Sequence, residues 1–371
     1  MNLVKLLKLV LSTSIFKING KAKKYPKVIQ LPITNKCNSK CKMCNVWKMD
    51  NSNDMTAEEF KLFMKDPIFK KVVAVGINGG EPSLITNLDL YVDEILKLPK
   101  IKVLTFISNA FLTDVLLEKL ENFHNKCNKK NVKFNVSISL DGVGEVHNMI
   151  RVNGKRDVFS DVIKTIDIIN NNKKKYCDYF EIACTVVQQN IFSLIELESY
   201  AKIKKYNIKY RLGIENKRIG SDQITKQYSV LYNELRQNAK EFFYRRMKMT
   251  DTVYEKFKFF SIFYFLNNKK TKRLLGCSWK DEAITIDARG DVFYCAVASE
   301  KIGSLREQKG EKIFFDKKNI LYRQKLIKSC CDKCIHDYSG RIEFRNILIF
   351  LKHELHELLY LRYYKFRKLF L

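Results

Sequence analysis

Three observations predict an α/β protein: six short β-branched runs, helical patterns lying between them, and turn residues where one gives way to the other. The runs are KVIQLPI (27–33), KVVAVGI (71–77), KVLTFIS (102–108), KFNVSISL (133–140), FEIACTVV (180–187) and KYRLGI (209–214). Nearly continuous apolar runs of this length read as parallel strands buried on both faces. Between them, TAEEFKLFMK opens with Thr56 and Glu59 at capping-box spacing, and NLDLYVDEILKL, LTDVLLEKLENF and FSDVIKTIDIINN carry apolar residues at helical period. Six βα units in a row imply an α/β barrel or an open doubly wound sheet.

Beyond Gly220 the pattern turns helical and polar to about Lys270, as in a connector. A smaller module then opens at Gly276-Cys277, holds a strand pair in AITIDARGDVFYC with its turn over Asp287 to Gly290, and ends near Gly340. The expected segments are therefore 1–26, a basic amphipathic lead; 27–220, the core; 221–270, the connector; 271–340, the cysteine-bearing module; and 341–371, a basic amphipathic helix. At 371 residues with 46% apolar content and five prolines, the chain can bury a sizeable core.

Eleven cysteines grouped at metal-ligand spacings, in a chain without a secretory cleavage signal, fit a reducing cytoplasm better than a disulfide framework. Lys5 and Lys8 break the apolar N-terminus, so no spanning helix is expected. With 68 Lys and Arg against 40 Asp and Glu, the net charge is +28. That field attracts nucleic acid, anionic lipid or a phosphorylated substrate, and a lysine-rich solvated surface would give the same number.

Cys37-Asn-Ser-Lys-Cys41-Lys-Met-Cys44 follows the first predicted strand. Three thiolates so close in sequence can hold one corner of a cubane and leave the fourth iron without a protein ligand, whereas zinc takes four ligands and no fourth Cys or His lies nearby. Gly79-Gly80-Glu81-Pro82 follows the second strand, where glycines permit close backbone approach and Glu81 offers an acceptor for an amine.

In this C-x3-C-x2-C followed one βα unit later by GGEP, the chain resembles the radical S-adenosylmethionine (SAM) superfamily. The resemblance implies a partial (β/α)6 TIM-like barrel, a [4Fe–4S] cluster on Cys37, Cys41 and Cys44, and SAM chelated to its open iron. It further implies that Gly79, Gly80, Glu81 and Pro82 hold the methionine end. Ser108 and Asn109 stand where the family commonly has Thr-Asn-Gly, with Ala110 in place of that glycine; Ser139 is expected at the ribose and Arg151 at the carboxylate. His147 lies in the same stretch and reads equally as a helix-entry residue. Met43 replaces a frequent aromatic, and Trp47 is the expected cover for the cluster.

The C-terminal module carries Cys277, Cys295 and the pair Cys331 and Cys334. Four thiolates at such places can ligate a whole cubane, and zinc in a four-cysteine ribbon is the competing reading. The pattern resembles the Twitch module, a shortened relative of the SPASM domain, which implies one auxiliary [4Fe–4S] cluster with Cys330 as the alternative to Cys331.

The resemblance implies an oxidoreductase that makes a 5′-deoxyadenosyl radical, takes hydrogen from a substrate and uses an external donor such as flavodoxin or ferredoxin. A second cluster able to accept an electron favours oxidation, or epimerisation, of a carbohydrate-like or polyol substrate. Radical modification of a peptide is the alternative, and a non-catalytic iron–sulfur or zinc protein is the reading from another class. No catalytic acid or base is legible. The chain ends, MNLVKLLKLVLSTSIFKI and LLYLRYYKFRKLFL, have the composition of interfacial helices, so a cytoplasmic protein docked on the anionic inner face of a membrane, with a lipid-linked substrate, is a further expectation. No RNA or DNA motif accompanies the charge, which sets nucleic acid aside.

Overall fold

The computed structural model describes residues 24–267, 272–280, 282–340 and 342–369, with side chains up to 359. The basic N-terminal lead up to residue 23 lies outside the described residues, as do the side chains of Arg362, Lys365, Arg367 and Lys368.

Each of the six β-branched runs is a strand: β1 Val28–Pro32, β2 Ala74–Asn78, β3 Val103–Ser108, β4 Lys133–Ser139, β5 Tyr179–Val186 and β6 Ile208–Leu212. They pair in chain order, all parallel. Between them run α1 Ala57–Phe63, α2 Leu88–Ile95, α3 Thr113–Lys129, α4 Glu145–Ile150, α5 Val158–Asn171 and α6 Leu194–Ile203. The Thr56 hydroxyl accepts from Glu59 N–H at 3.1 Å and the Glu59 carboxylate accepts from Thr56 N–H at 2.9 Å, closing the capping box. This is the parallel sheet of a partial TIM-like barrel. Alternate strand residues separate its two faces: Ile29, Val75, Leu104 and Phe134 are at most 1% exposed on the apolar face, while Gln30, Gly76, Thr105 and Asn135 line up on the other.

The sheet does not stop at β1. Strand β7, Ala283–Ile286, joins its free edge in parallel, and β8 Asp291–Phe293 and β9 Lys301–Ser304 continue antiparallel. All four β7 residues are buried. The β7–β8 turn is where the sequence places it, with Gly290 at φ 78° and the Asp287 carboxylate accepting from Arg289 and Asp291 N–H, both at 3.0 Å.

Two compact units result, and they cut across the expected segments. Residues 23–238 and 279–331 form the barrel unit, so the strand pair of the cysteine-bearing module belongs with the core. A parallel strand edge left open by β1 is what recruits it. Among the described residues, the second unit comprises 239–267, 272–278, 332–340 and 342–369. Here the stretch read as a polar connector is mainly two helices, α7 Arg236–Met249 and α8 Val253–Asn267. The Phe-rich α8 buries Phe257, Phe259, Phe260 and Phe265, because a helix apolar on most sides has to be covered. Phe257 and Phe260 pack edge-on and tilted against Phe350 of the C-terminal helix α10, Phe344–Leu369, after α9 Lys317–Cys330 in the barrel unit. Lys248 pairs with Glu357 at 2.6 Å on the same seam. Among the described residues no helix is long and apolar enough to cross a membrane.

Candidate active site

The loop after β1 carries the three cysteines and is laced to its neighbours through backbone. Gly80 N–H donates to Thr34 C=O at 2.7 Å and Glu81 N–H to Lys36 C=O at 2.8 Å. A Cβ on Gly79, at φ 134°, would stand 2.5 Å from the Thr34 oxygen, and one on Gly80 would stand 2.1 Å from the Lys36 oxygen. The close approach that requires these glycines is thus of one loop to the other. On the opposite side, Lys40 N–H reaches Val152 C=O at 2.7 Å and Lys42 N–H reaches Ile150 C=O at 3.0 Å, which seats Arg151 beside the cysteines.

Glu81 is fully buried, and its carboxylate accepts from Ser108 Oγ–H at 2.8 Å, Asn109 N–H at 2.7 Å and Ser83 N–H at 3.1 Å. Burial raises its pKa against these donors. Glu81 therefore ties the end of β2 to the end of β3, where sequence reasoning made it an acceptor for an amine. Pro82 opens a short turn, Pro82–Leu84, below it. Asn109 Nδ2 donates to Asn38 Oδ1 at 2.7 Å, linking the β3 end to the cysteine loop. Ala110 sits at φ 60°, a left-handed position that the commoner glycine would take without strain.

At the end of β4, Asp141 is fully buried. One carboxylate oxygen accepts from Thr185 N–H at 2.7 Å, and the other accepts from Arg151 Nε–H at 2.6 Å. Arg151 Nη1 then lies 3.8 Å from the Cys41 sulfur. His147 accepts the Asp141 N–H on Nδ1 at 3.1 Å, so its proton resides on Nε2, which is buried without a partner. Burial drives its pKa down to about 3. Ser139 lies on the same strand face as Ser137, opposite Ala183 of β5.

Burial pushes the Cys37 thiol up to about 12 and the Cys44 thiol up to about 11. Thiols in such a setting ionise when a metal takes the proton's place. Among the described residues no three His, Cys, Asp or Glu side chains gather tightly enough for a single metal ion. The fit of a cluster rests instead on the donors around the sulfurs. Ser39 N–H points to Cys37 Sγ at 3.4 Å, Val46 N–H to Cys44, Val297 N–H to Cys295 Sγ at 3.4 Å and His336 N–H to Cys334 Sγ at 3.5 Å. The same i+2 amide-to-sulfur turn recurs at four expected ligands, and such hydrogen bonds accompany thiolate ligation of iron. Cys127, Cys177 and Cys184 are buried, and burial raises their thiols too.

Met43 packs against Ile150, Val187 and Tyr228, so an aromatic side chain from beyond β6 stands beside the position where the sequence lacks one. Lys40 and Lys48 lie over the Trp47 ring at 5.7 and 5.1 Å. In the second unit, buried Arg273 donates to the carbonyls of Leu275 at 2.6 Å, Gly276 at 3.2 Å, Cys334 at 3.1 Å and His336 at 2.8 Å, and also to that of Tyr338. One guanidinium thus binds the stretches flanking Cys277 and Cys334. Cys295, Cys330 and Cys331 belong to the barrel unit.

The family model that matches residues 31–181 is the Radical SAM superfamily. The chain carries the domain of the radical SAM enzymes. Strands β2 to β4, the end of β1, the three-cysteine loop, the GGEP loop and the stretch from Ser139 to Arg151 fall inside the matched region. Among curated proteins, the domain is similar to a GTP 3′,8-cyclase of Clostridium botulinum, 26% identical over 146 residues, 38% of this chain and 43% of that protein. It is also similar to a GTP 3′,8-cyclase of Campylobacter jejuni, 27% identical over 195 residues, 51% of this chain and 56% of that protein. A probable GTP 3′,8-cyclase of Methanocaldococcus jannaschii is 34% identical over 96 residues, 25% of this chain and 32% of that protein. The matches span a third to just over half of those relatives' lengths. In fold, the chain resembles native anSMEcpe with bound AdoMet, at TM-score 0.60 and 17% identity, over 91% of this chain and 99% of that one. It also resembles Streptococcus suis SuiB bound to SAM, at TM-score 0.57 and 19% identity, over 86% and 77%. Radical SAM domains work with a [4Fe–4S] cluster and SAM.

Proposed function

We propose that this chain is a radical SAM oxidoreductase acting on a polyol or carbohydrate-like substrate. When bound, a cluster on Cys37, Cys41 and Cys44 together with SAM would supply a 5′-deoxyadenosyl radical. The residues around them hold, orient and keep water out. Gly79 and Gly80 let the two loops meet, Glu81 fixes the β3 end, and Arg151 stands ready for a carboxylate. Ser139 is the ribose candidate on the polar strand face.

The observation that supports a hydroxyl-rich substrate is the chemistry of that face. In register, Thr285, Gln30, Gly76, Thr105 and Asn135 form one row, and Ser137 pairs with Glu181 and Thr185 with Arg211 on the following strands. Arg211 Nε–H donates to Thr185 Oγ at 3.3 Å. A wall of hydroxyls, amides and charged groups suits a substrate that hydrogen-bonds at many points. A second cluster on the C-terminal cysteines would take up the electron left after hydrogen abstraction, which makes oxidation the favoured outcome.

The peptide reading has support from solved structures of the same fold that hold peptides. A structure of anSMEcpe with AdoMet and the Cp18Cys peptide shares the fold over 91% of this chain. Anaerobically reconstituted protein given SAM, a strong reductant and perdeuterated inositol or synthetic peptides separates the two. Deuterium in 5′-deoxyadenosine from the polyol alone is the expected result, and transfer only from peptide would replace the polyol reading.

Peripheral docking on anionic lipid belongs to the same proposal. Leu348, Leu355 and Leu359 are 42 to 58% exposed along α10, and the sequence that follows is basic. Binding to phosphatidylglycerol vesicles that fades with salt is expected; equal failure with anionic and neutral vesicles would end it.

A further inference from the structure

The three cysteines of the triad are not treated alike. Cys37 and Cys44 each receive a backbone N–H, from Ser39 and Val46. Cys41 is the most buried of the three, and two side chains converge on its sulfur: Ser39 Oγ at 3.1 Å and Arg151 Nη1 at 3.8 Å. Ser39 is 1% exposed, so its hydroxyl cannot turn to solvent. A sulfur that ligates iron carries no proton, so in the loaded protein the Ser39 hydroxyl is the donor and Cys41 the acceptor. Arg151 is held in place from behind by its 2.6 Å ion pair with Asp141, itself anchored by Thr185 N–H.

We propose that Ser39 and Arg151 set the reduction potential of the cluster through the sulfur of Cys41. Hydrogen bonds and positive charge at a ligand sulfur stabilise the more negative, reduced cluster and so raise its potential. The step affected is the uptake of one electron from a flavodoxin- or ferredoxin-class donor, taking the cluster from the 2+ to the 1+ state, with no bond made or broken and no proton moved. This rests on Cys37, Cys41 and Cys44 holding the cluster, and it adds an assignment to Ser39, which lies between two ligands and does its work without touching the cofactor, and a second role to Arg151 beside the carboxylate contact proposed for it. Asp141 acts as the positioning residue for Arg151.

The test is an EPR-monitored redox titration of anaerobically reconstituted full-length protein, following the signal that changes when SAM is added. At the wild-type midpoint, Ser39→Ala should lower the reduced-to-oxidised ratio by about threefold with iron content and SAM affinity unchanged. Arg151→Gln should lower it by about tenfold, which is about 59 mV for a one-electron couple. Ser39→Thr keeps a hydroxyl and should stay near wild type. Fully loaded Ser39→Ala and Arg151→Gln proteins with the wild-type midpoint would overturn the proposal, and so would loss of iron from both, which would make the two residues supports of the loop. Absence of any SAM-sensitive signal in wild type would instead overturn the cluster assignment.

Discussion

Gly80 and Lys36 are in backbone contact so close that a Cβ on the glycine would lie 2.1 Å from the lysine carbonyl oxygen. No side chain can be accommodated there without separating the GGE loop from the cysteine loop. Gly80→Ala should therefore cost at least ~3 kcal/mol and strip iron from the N-terminal site. Urea unfolding and iron content of the reconstituted variant check this, and a fully loaded, equally stable variant would show that the loops can part.

His147 makes stability depend on acid in a defined window. Its folded pKa is lowered, to about 3 from an ordinary 6.5, because burial disfavours the charged ring. The unfolded chain then binds more protons than the folded one between those values. The contribution is fully present above about 6.5 and is lost as pH falls towards 3. His147→Gln should flatten the fall in melting temperature between pH 6.5 and 4, at some cost at neutral pH.

Ala110 occupies a left-handed backbone conformation, at φ 60°. An L side chain there costs ~1 kcal/mol, part of which glycine gives back through its freer unfolded state. Ala110→Gly should raise stability by about 0.5 kcal/mol and leave the Ser108 and Asn109 contacts to Glu81 in place. Thermal unfolding decides the sign.

Iron content separates the two groups of cysteines. Wild type should carry about eight irons, four in each cubane, and the Cys37, Cys41 and Cys44 triple alanine variant about four, with no 5′-deoxyadenosine formed. Arg273→Gln, which leaves five carbonyl acceptors around Cys277 and Cys334 unserved, should also drop to about four while retaining some uncoupled SAM cleavage. Zinc in place of iron in any of these proteins would replace the C-terminal cluster reading.

Local signals made most of the core legible. The strands are continuous β-branched runs, the capping box at Thr56 and Glu59 marks a helix start, and the cysteine and glycine motifs are short enough to read as units. Helix α6 has Ser193 and Glu196 at capping-box spacing in the sequence, although Ser193 makes no side-chain capping bond in the fold. What sequence could not give were partnerships across long separations: Ser108 with Glu81, Arg151 with Cys41, and β7 with β1. Each depends on which loops the sheet order brings side by side, and no local pattern encodes it. Ser39 was visible between two cysteines, but only the fold shows its hydroxyl turned to Cys41.

The pairing of β1 with β7 also has a bearing on synthesis. Lys27, just before β1, meets Glu282, just before β7, 255 residues further on. At ~5–20 residues per second, a ribosome needs on the order of 10–50 s to make that intervening chain. Throughout that interval one edge of β1, and the cysteine loop that hangs from its end, is without the strand that later lies alongside. Contacts of such separation also slow the final closure. The cysteine loop is thus emitted early and enclosed late.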